Sequence, residues 1–443
     1  MSTQALAAGL SRIAENGLPQ DVRIEAVRSL LNVVGTSIGA ARTEPVDLLV
    51  HHAFARGSIG SSPVPGRPER LDAPGAALVT GFAAHIDDFD DTHLATVVHP
   101  AAAVFAAALP LVARTGVGPL RLLDAFALGI ETQLRVALAM TPSHYDQGWH
   151  ITGTVGPLGA AVTAGLLRGL HDEQLRHAVA IASSMSLGHR EGFGTMVKAF
   201  HPGKAASNGL VAAALAARGF TGATAALEGP RGYFRAMAPT VNLDQLTAGL
   251  GTRWTLLDNT YKPYPCCIVS HPAIEAAERL RVALDGAQPV AVRVRCHPLV
   301  VELTDNPTPR TGLAARFSTI HGVAAALVDG TVGLAQYDDQ RVLAPDLTAM
   351  RAITQLLPDG GTARAAATVE AELADGRVVR EHVEHALGSL ARPLTDPQLD
   401  GKVSALVERT LPGRAAQVVD AVRALPGQTS CRPLLAAISS ETP

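Results

Sequence analysis

The feature that most limits the possible folds of this chain is a change in its hydrophobic pattern near residue 255. Before that point apolar residues recur every three to four positions, for example over residues 119–140 and 156–170, which predicts helices that bury one face. After it, residues 289–297 alternate between apolar and charged side chains, the period of a half-buried strand. Residues 368–373 and 377–383 flank an Ala-Asp-Gly turn, which predicts a hairpin.

The same change predicts the domain organisation. A chain of 443 residues is too long for one compact core. We expect a mainly α protein with a large all-helical domain formed by residues 1–254 together with residues 391–443, which pack back on it. A smaller α+β lid domain is expected over residues 255–390. The tail from residue 396 is expected to form two short helices.

Composition narrows the class of protein. Hydrophobic residues make up 47% and aromatic residues 4%, so small side chains suit closely packed helices. The formal charge of −3 offers no basic excess for a phosphate backbone, and we expect no nucleic-acid partner. The apolar run over residues 95–113 is broken by His99, Pro100 and Pro110, which predicts a buried helix and no membrane span. The four cysteines lack CxxC spacing and the N-terminus does not resemble a signal peptide, so a cytoplasmic protein is expected.

Ionisable residues concentrate in four segments. The first reads HIDDFDDTH over residues 85–93 and is followed by His99. Its four carboxylates within five residues repel one another and need water, a metal or cationic partners. A solvated acidic helix end is the alternative interpretation. The second segment reads GWHITGTVG over residues 148–156, where His150 precedes a helix start whose backbone N–H groups favour an anionic ligand. A structural or capping histidine is the alternative there.

The other two segments are basic. GTMVKAFHPGK, residues 194–204, places Lys198 and His201 three residues apart beside glycines, which predicts either a carboxylate-binding loop or an exposed basic loop. YKPYPCC, residues 261–267, contains prolines that stiffen the backbone around Lys262. Each signal is weak by itself, and the combination is informative.

Together these motifs resemble those of the MmgE/PrpD family, over essentially the whole chain. Activities in that family include dehydration of 2-methylcitrate, decarboxylation of cis-aconitate and epimerisation of iminodisuccinate. The resemblance implies an all-helical domain built from both chain ends, an α+β lid and acid–base chemistry on a small polycarboxylate. It also implies a homodimer, which would cover the alanine-rich helices expected over residues 100–113 and 156–170.

The resemblance also assigns catalytic roles to individual residues. Lys198 and Lys262 would clamp substrate carboxylates. His99 and His150 are the candidate base and acid, although which is which stays open. Asp88 would orient a histidine or a lysine. Dehydration is the expected reaction, with decarboxylation and epimerisation as alternatives.

Three further residues are expected to bind substrate. Thr92 matches the threonine of the family's acidic stretch and would contact a substrate oxygen. Cys267 and His321 mark departures from the decarboxylase branch, which has a catalytic histidine at the first position and a pocket tyrosine at the second. Decarboxylation of cis-aconitate is therefore not the leading expectation.

Two other classes of function compete with this interpretation. Residues 87–91 match the DDxxD pattern with which helical isoprenoid synthases hold magnesium and diphosphate, but those enzymes use aromatic cavities. A non-enzymatic helical scaffold is the other alternative. No cysteine spacing fits an iron–sulfur cluster and no His/Asp spacing fits a zinc motif, so neither metal nor cofactor is expected.

Overall fold

A computed structural model describes residues 2–440, and over this range the protein is mainly helical, as predicted. Helical periodicity in the sequence marks most of the long helices, and α6 has the predicted bounds. The helices before residue 255 are α1 (Ser2–Asn16), α2 (Gln20–Gly39), α3 (Glu44–Ala55), α4 (Ala73–Ile86), α5 (Ala101–Thr115), α6 (Pro119–Met140), α7 (Ser143–Asp146), α8 (Ile151–Arg168), α9 (Asp172–Ser183), α10 (Met196–Ala216) and α11 (Tyr233–Met237).

The rest of the chain combines helices with strands. The helices are α12 (His271–Leu284), α13 (Pro298–Thr304), α14 (Gly312–Ala315), α15 (Thr319–Asp329), α16 (Asp339–Val342), α17 (Pro345–Ala352), α18 (Asp396–Glu408), α19 (Ala415–Arg423) and α20 (Arg432–Ile438). The strands among residues 2–440 are β1 (Ser62–Pro63), β2 (Arg70–Leu71), β3 (Asp91–His93), β4 (Asn259–Tyr261), β5 (Pro289–Cys296), β6 (Thr354–Pro358), β7 (Ala367–Leu373) and β8 (Val378–Val383).

A four-stranded sheet has the order β6-β5-β7-β8. Strands β7 and β8 form the expected antiparallel hairpin, and β5 pairs antiparallel with β7 and parallel with β6. Side chains of β7 alternate between buried and half-buried, because α12 covers one face of the sheet. Strand β6 has no alternating pattern of its own, and its position comes from pairing with β5.

Two large hydrophobic cores are present among residues 2–440, together with a smaller third one where α3 packs against α4. One draws on residues 6–261 and on residues 394–438, so both chain ends contribute to it. The other draws on residues 264–386 and includes the sheet. Helix α18 approaches α2 closely, since a Cβ at Gly35 would lie 2.9 Å from a methyl carbon of Val403. The tail contains three helices, α18 to α20, where two were expected. The exact domain boundaries stay a prediction.

Helix α10 corrects one expectation that bears on function. It begins at Met196, because the Thr195 side chain caps it by accepting a hydrogen bond from the N–H of Val197. Lys198 and His201, expected in a loop, therefore lie in the first two turns of a helix. Among the described residues, no helix is both long enough and apolar enough to cross a membrane.

Candidate active site

A cavity of about 60 Å³ gathers most of the predicted site residues. Its wall includes side chains from both sides of residue 255. Seven of the eight predicted residues line it: Asp88, Thr92, His99, His150, Lys198, Lys262 and Cys267. A larger open groove of about 780 Å³ is lined mainly by small and apolar side chains, and we assign no chemistry to it.

The acidic segment forms a tight turn between α4 and β3. Strand β3 pairs antiparallel with β4, which ends directly before Lys262, and this pairing brings Lys262 to the turn. Each carboxylate in the turn has partners of its own. These are Arg316 for Asp87, Lys198 and Lys262 for Asp88, His85 for Asp90, and Ser29 with Asn259 for Asp91. The turn is neither a solvated helix end nor a set of converging magnesium ligands.

Asp88 is the centre of the cationic part of the site. It has a left-handed backbone (φ 49°), a conformation that non-glycine residues seldom adopt and that is common at functional sites. Its carboxylate pairs with Lys198 and lies 3.1 Å from the Nζ of Lys262, and its carbonyl accepts from the same Nζ at 3.0 Å. Burial raises the pKa of Asp88, but the charges of the two lysines outweigh it and hold that pKa well below its usual range. Asp88 is therefore ionised.

Both lysines are buried yet keep donor capacity. Lys198 is 6% exposed and donates to Asp88 and, at 3.0 Å, to Nε2 of His85. Lys262 is 1% exposed; burial lowers its pKa, but Asp88 raises it above the ordinary value. An ammonium group has three N–H donors, so each lysine has one left beyond these contacts. The two groups can therefore hold a substrate carboxylate.

The hydrogen bonds of His99 define its tautomer. Its Nδ1 lies 2.9 Å from the backbone carbonyl of Asp91, which can only accept, so Nδ1 carries the proton. Nε2 is then the unprotonated nitrogen. Burial, together with the charges of both lysines, lowers the pKa of His99, and Asp90 only partly opposes this effect. His99 is thus neutral and can accept a proton through Nε2.

His150 has a different environment. It immediately precedes α8, and its Nδ1 lies 2.8 Å from Nδ1 of His201. Its Nε2 is buried and has no hydrogen-bond partner among the described residues. Burial, followed by the charge of Lys198, holds its pKa well below the ordinary value. Because one ring of the pair must donate, His201 controls which nitrogen of His150 carries a proton.

The remaining predicted residues differ in position. The Thr92 hydroxyl oxygen accepts from the protonated Nδ1 of His99 in a 3.2 Å contact. Cys267 lines the cavity, and burial raises the pKa of its thiol. His321 lies elsewhere: it is fully buried in α15, where its ring bonds the carbonyl of Gln336 at 2.8 Å and contacts Arg351 at 3.1 Å. His321 therefore does not line the cavity, and the prediction that it contacts substrate is corrected.

One group of metal-ligand atoms occurs among residues 2–440. His85, Asp90 and His99 place one such atom each within 4.8 Å of the others. Nδ1 of His85 already donates to Asp90 at 2.6 Å, and the ammonium of Lys198 contacts the other ring nitrogen. A metal cation at this position would be repelled by Lys198, so we assign these residues to hydrogen bonding.

Several contacts to the site residues were not predicted from the sequence. His85 links Asp90 to Lys198, and His201 contacts His150. Lys402, from α18, donates to the carbonyl of Phe89 at 2.7 Å and so holds the acidic turn. The sequence analysis names His201 beside Lys198 but expects both in a loop, so the helix face that they share and the contact of His201 with His150 are not predicted. Lys402 is more than 300 residues from the turn in sequence, and no local pattern signals it.

Comparison with known protein families shows which family the chain belongs to. The family model for the MmgE/PrpD N-terminal domain matches residues 4–246, and that for the MmgE/PrpD C-terminal domain matches residues 264–425. The chain belongs to the MmgE/PrpD family.

Several named enzymes are similar in sequence to most of this chain. Cis-aconitate decarboxylase of Aspergillus terreus (strain NIH 2624 / FGSC A1156) is 26% identical over 458 residues, which cover 96% of this chain and 93% of the relative. Cis-aconitate decarboxylase of Mus musculus is 28% identical over 436 residues, which cover 92% and 87%. The corresponding enzyme of Homo sapiens is 27% identical over 433 residues, which cover 92% and 88%. Family membership with these relatives supports a lyase-type enzyme.

Proposed function

We propose that the protein is an acid–base lyase that acts on a small di- or tricarboxylic acid, with dehydration as the first candidate reaction. The observation that carries this proposal is the meeting of an unprotonated His99 Nε2 with two buried ammonium groups around one cavity. A carbon-bound proton next to a carboxylate needs a base and needs cations that stabilise the enediolate charge. The site offers both.

In the proposed dehydration, the remaining N–H groups of Lys198 and Lys262 bind a substrate carboxylate. His99 Nε2 removes the proton from the adjacent carbon, and the electron pair of that C–H bond becomes the new C=C bond. The C–O bond of the neighbouring carbon breaks at the same time. The proton now on His99 Nε2 passes to the departing hydroxyl, which leaves as water and returns His99 to its neutral state; neutral His150 hydrogen-bonds the departing oxygen, and Thr92 contacts a substrate oxygen.

Decarboxylation is the second candidate, and the decarboxylase relatives favour it. There a C–C bond breaks, carbon dioxide leaves, and its electron pair stays on the substrate carbon. The lysines stabilise that charge in the same way, and the carbon takes up a proton from water, relayed through His150. The same residues serve both reactions because both develop negative charge on a carbon next to a carboxylate.

A substrate panel tests the proposal. Purified protein is incubated with 2-methylcitrate, citrate, cis-aconitate and iminodisuccinate, with and without excess EDTA, and products are identified by proton NMR. We expect an unsaturated acid from a hydroxy acid, or a decarboxylated product, in both conditions. Loss of activity in EDTA that a single metal restores would contradict the proposed chemistry, as would the absence of any turnover or substrate binding.

A further inference from the structure

The two sides of the cavity differ in chemistry. Ionisable side chains come from the acidic turn, α10 and the segments before α5 and α8. Another part of the lining is hydrocarbon and includes Ile268, Val269, Leu299 and Leu303. Leu299 and Leu303 are four residues apart on α13 and therefore share one face of that helix. All four side chains are only half-buried, so they have apolar surface left to cover.

The charge of the cavity wall is small. Lys198 and Lys262 bring two positive charges, and the ionised Asp88 takes one of them. His150 stays neutral because burial and Lys198 lower its pKa, and Cys267 stays a thiol because burial raises its pKa. Burial likewise raises the pKa of Tyr145, which also lines the cavity. One net positive charge remains, and a buried carboxylate without a cationic partner is costly.

We propose that the preferred substrate carries a hydrocarbon substituent where a tricarboxylic acid carries its third carboxylate. One carboxylate binds at each of Lys198 and Lys262, so that no cation is left for a third; the reacting carbon lies at His99 and His150, and the alkyl group packs against Leu299, Leu303 and Ile268. This inference rests on the proposed function and narrows its substrate class to alkyl-substituted dicarboxylic acids.

Matched ligand pairs test the inference. An isobutyl group has the shape of a carboxymethyl group without its charge, so 2-isobutylmalate is compared with citrate and isobutylmaleate with cis-aconitate. Dissociation constants are measured by isothermal titration calorimetry with the full chain. We expect each alkyl compound to bind about tenfold or more tightly than its carboxylate partner. Equal or tighter binding of the tricarboxylates, or no binding of either set, would overturn the inference.

Variants of the hydrocarbon wall provide an independent test. Leu303→Lys adds a third cation to the lining and should shift the preference by about tenfold or more towards citrate and cis-aconitate. Leu303→Met keeps a hydrocarbon and should leave the preference unchanged. Leu303 is half-buried, and thermal melting verifies that each variant folds. An unchanged preference in a folded Leu303→Lys protein would contradict the assignment.

Failure of this inference can be told apart from failure of the proposed function. Binding constants report the preference for alkyl compounds whether or not a reaction follows. If the alkyl compounds bind more tightly but none of the ligands is converted or exchanges a proton, the proposed function fails and the binding preference stands. If citrate is converted and binds more tightly than 2-isobutylmalate, the proposed function stands and this inference fails.

Discussion

The two walls of the cavity are organised by different forces. On the wall built from the acidic turn, α10 and the histidines, each of the four buried carboxylates has at least one donor of its own, although single atoms such as Asp87 Oδ2 and His150 Nε2 have no hydrogen-bond partner among the described residues. On the wall built from α13 and residues 268–269, side chains contact one another through hydrocarbon and are half-exposed. Groups fixed by hydrogen bonds in a buried environment are preorganised for proton transfer, whereas a hydrocarbon wall can change with little effect on its neighbours.

Because of this difference, we expect the first wall to determine the rate of the reaction and the second wall to determine which substrate binds. Substitutions in the first wall should lower the rate of the reaction and disturb stability, because each group there holds another. Substitutions in the second wall should change which substrate binds. The predictions below start with the largest expected effect.

The strongest test of the first wall is loss of the proposed base. His99→Gln keeps a polar side chain but removes the unprotonated ring nitrogen that accepts the proton, and we expect kcat to fall by about two to four orders of magnitude. Steady-state kinetics at saturating substrate measures it. The matched control is His93→Gln, since His93 is also buried nearby but bonds Thr96 at 2.8 Å and does not line the cavity. A His99 variant with near-normal kcat would remove His99 from the mechanism.

The lysine clamp should affect binding more than turnover. Lys198→Ala or Lys262→Ala removes a charge-assisted hydrogen bond worth about 1.5–3 kcal/mol. We expect KM to rise roughly tenfold to a hundredfold, and the melting temperature to fall because Asp88 loses one of its two partners. Lys204→Ala, also on α10 but outside the cavity wall, serves as the control. Unchanged KM in both cavity variants would show that the lysines only neutralise Asp88.

His201 should act through His150. His201→Leu removes the contact at Nδ1, and we expect kcat to fall about tenfold with little change in KM, as for loss of a hydrogen bond of about 1–1.5 kcal/mol. His201→Asn places a polar atom near the same position and should restore part of the loss. The pH dependence of kcat should shift in the leucine variant. Equal losses in both variants with an unshifted pH profile would indicate a purely structural role.

The buried histidines should make stability depend on pH. Burial lowers the pKa of His85 from 6.5 to about 3, so the folded state keeps the ring neutral while the unfolded chain binds a proton below pH 6.5. The resulting stability is complete above pH 6.5 and is lost as pH falls towards about 3. We expect melting temperature to fall over this range, and to fall less steeply in His85→Gln. Equal slopes in the two proteins would show that His85 does not contribute.

Cys267 should show the smallest effect. Its thiol stays protonated because burial raises its pKa, so it has no role as a nucleophile in this account. Cys267→Ser should keep kcat within about tenfold of the parent protein, since it loses at most a modest packing or hydrogen-bond contribution. Inactivation by a thiol reagent that the serine variant escapes, together with a larger loss of kcat, would indicate covalent chemistry.

The sequence predicted the two walls unequally well. Helical periodicity and four local motifs indicated the residues of the first wall, and seven of them meet in the cavity. The prediction that His321 contacts substrate rests on the resemblance to the decarboxylase branch. Packing in the second core instead turns the His321 ring towards the carbonyl of Gln336. The hydrocarbon residues of α13 carry no local signal, since leucines on a short helix are equally expected in a core.

Contacts between residues far apart in the sequence also could not be predicted from local patterns. Lys402 and Asn259 reach the acidic turn only because α18 packs on α2 and β4 pairs with β3. Helices α5 and α8 are buried within the single chain, so these alanine-rich helices do not need a partner subunit to cover them. The homodimer itself stays a prediction.

The most direct test of the account is proton exchange in deuterium oxide. Wild type, His99→Gln and Cys267→Ser are each incubated at saturating concentration with the best ligand of the panel, and proton NMR follows the hydrogen on the carbon next to the carboxylate. If the first wall carries the chemistry, wild type and Cys267→Ser should exchange that hydrogen at similar rates, and His99→Gln should be slower by about two to four orders of magnitude. Equal exchange in wild type and His99→Gln, or no exchange and no turnover in wild type with ligand bound, would contradict it.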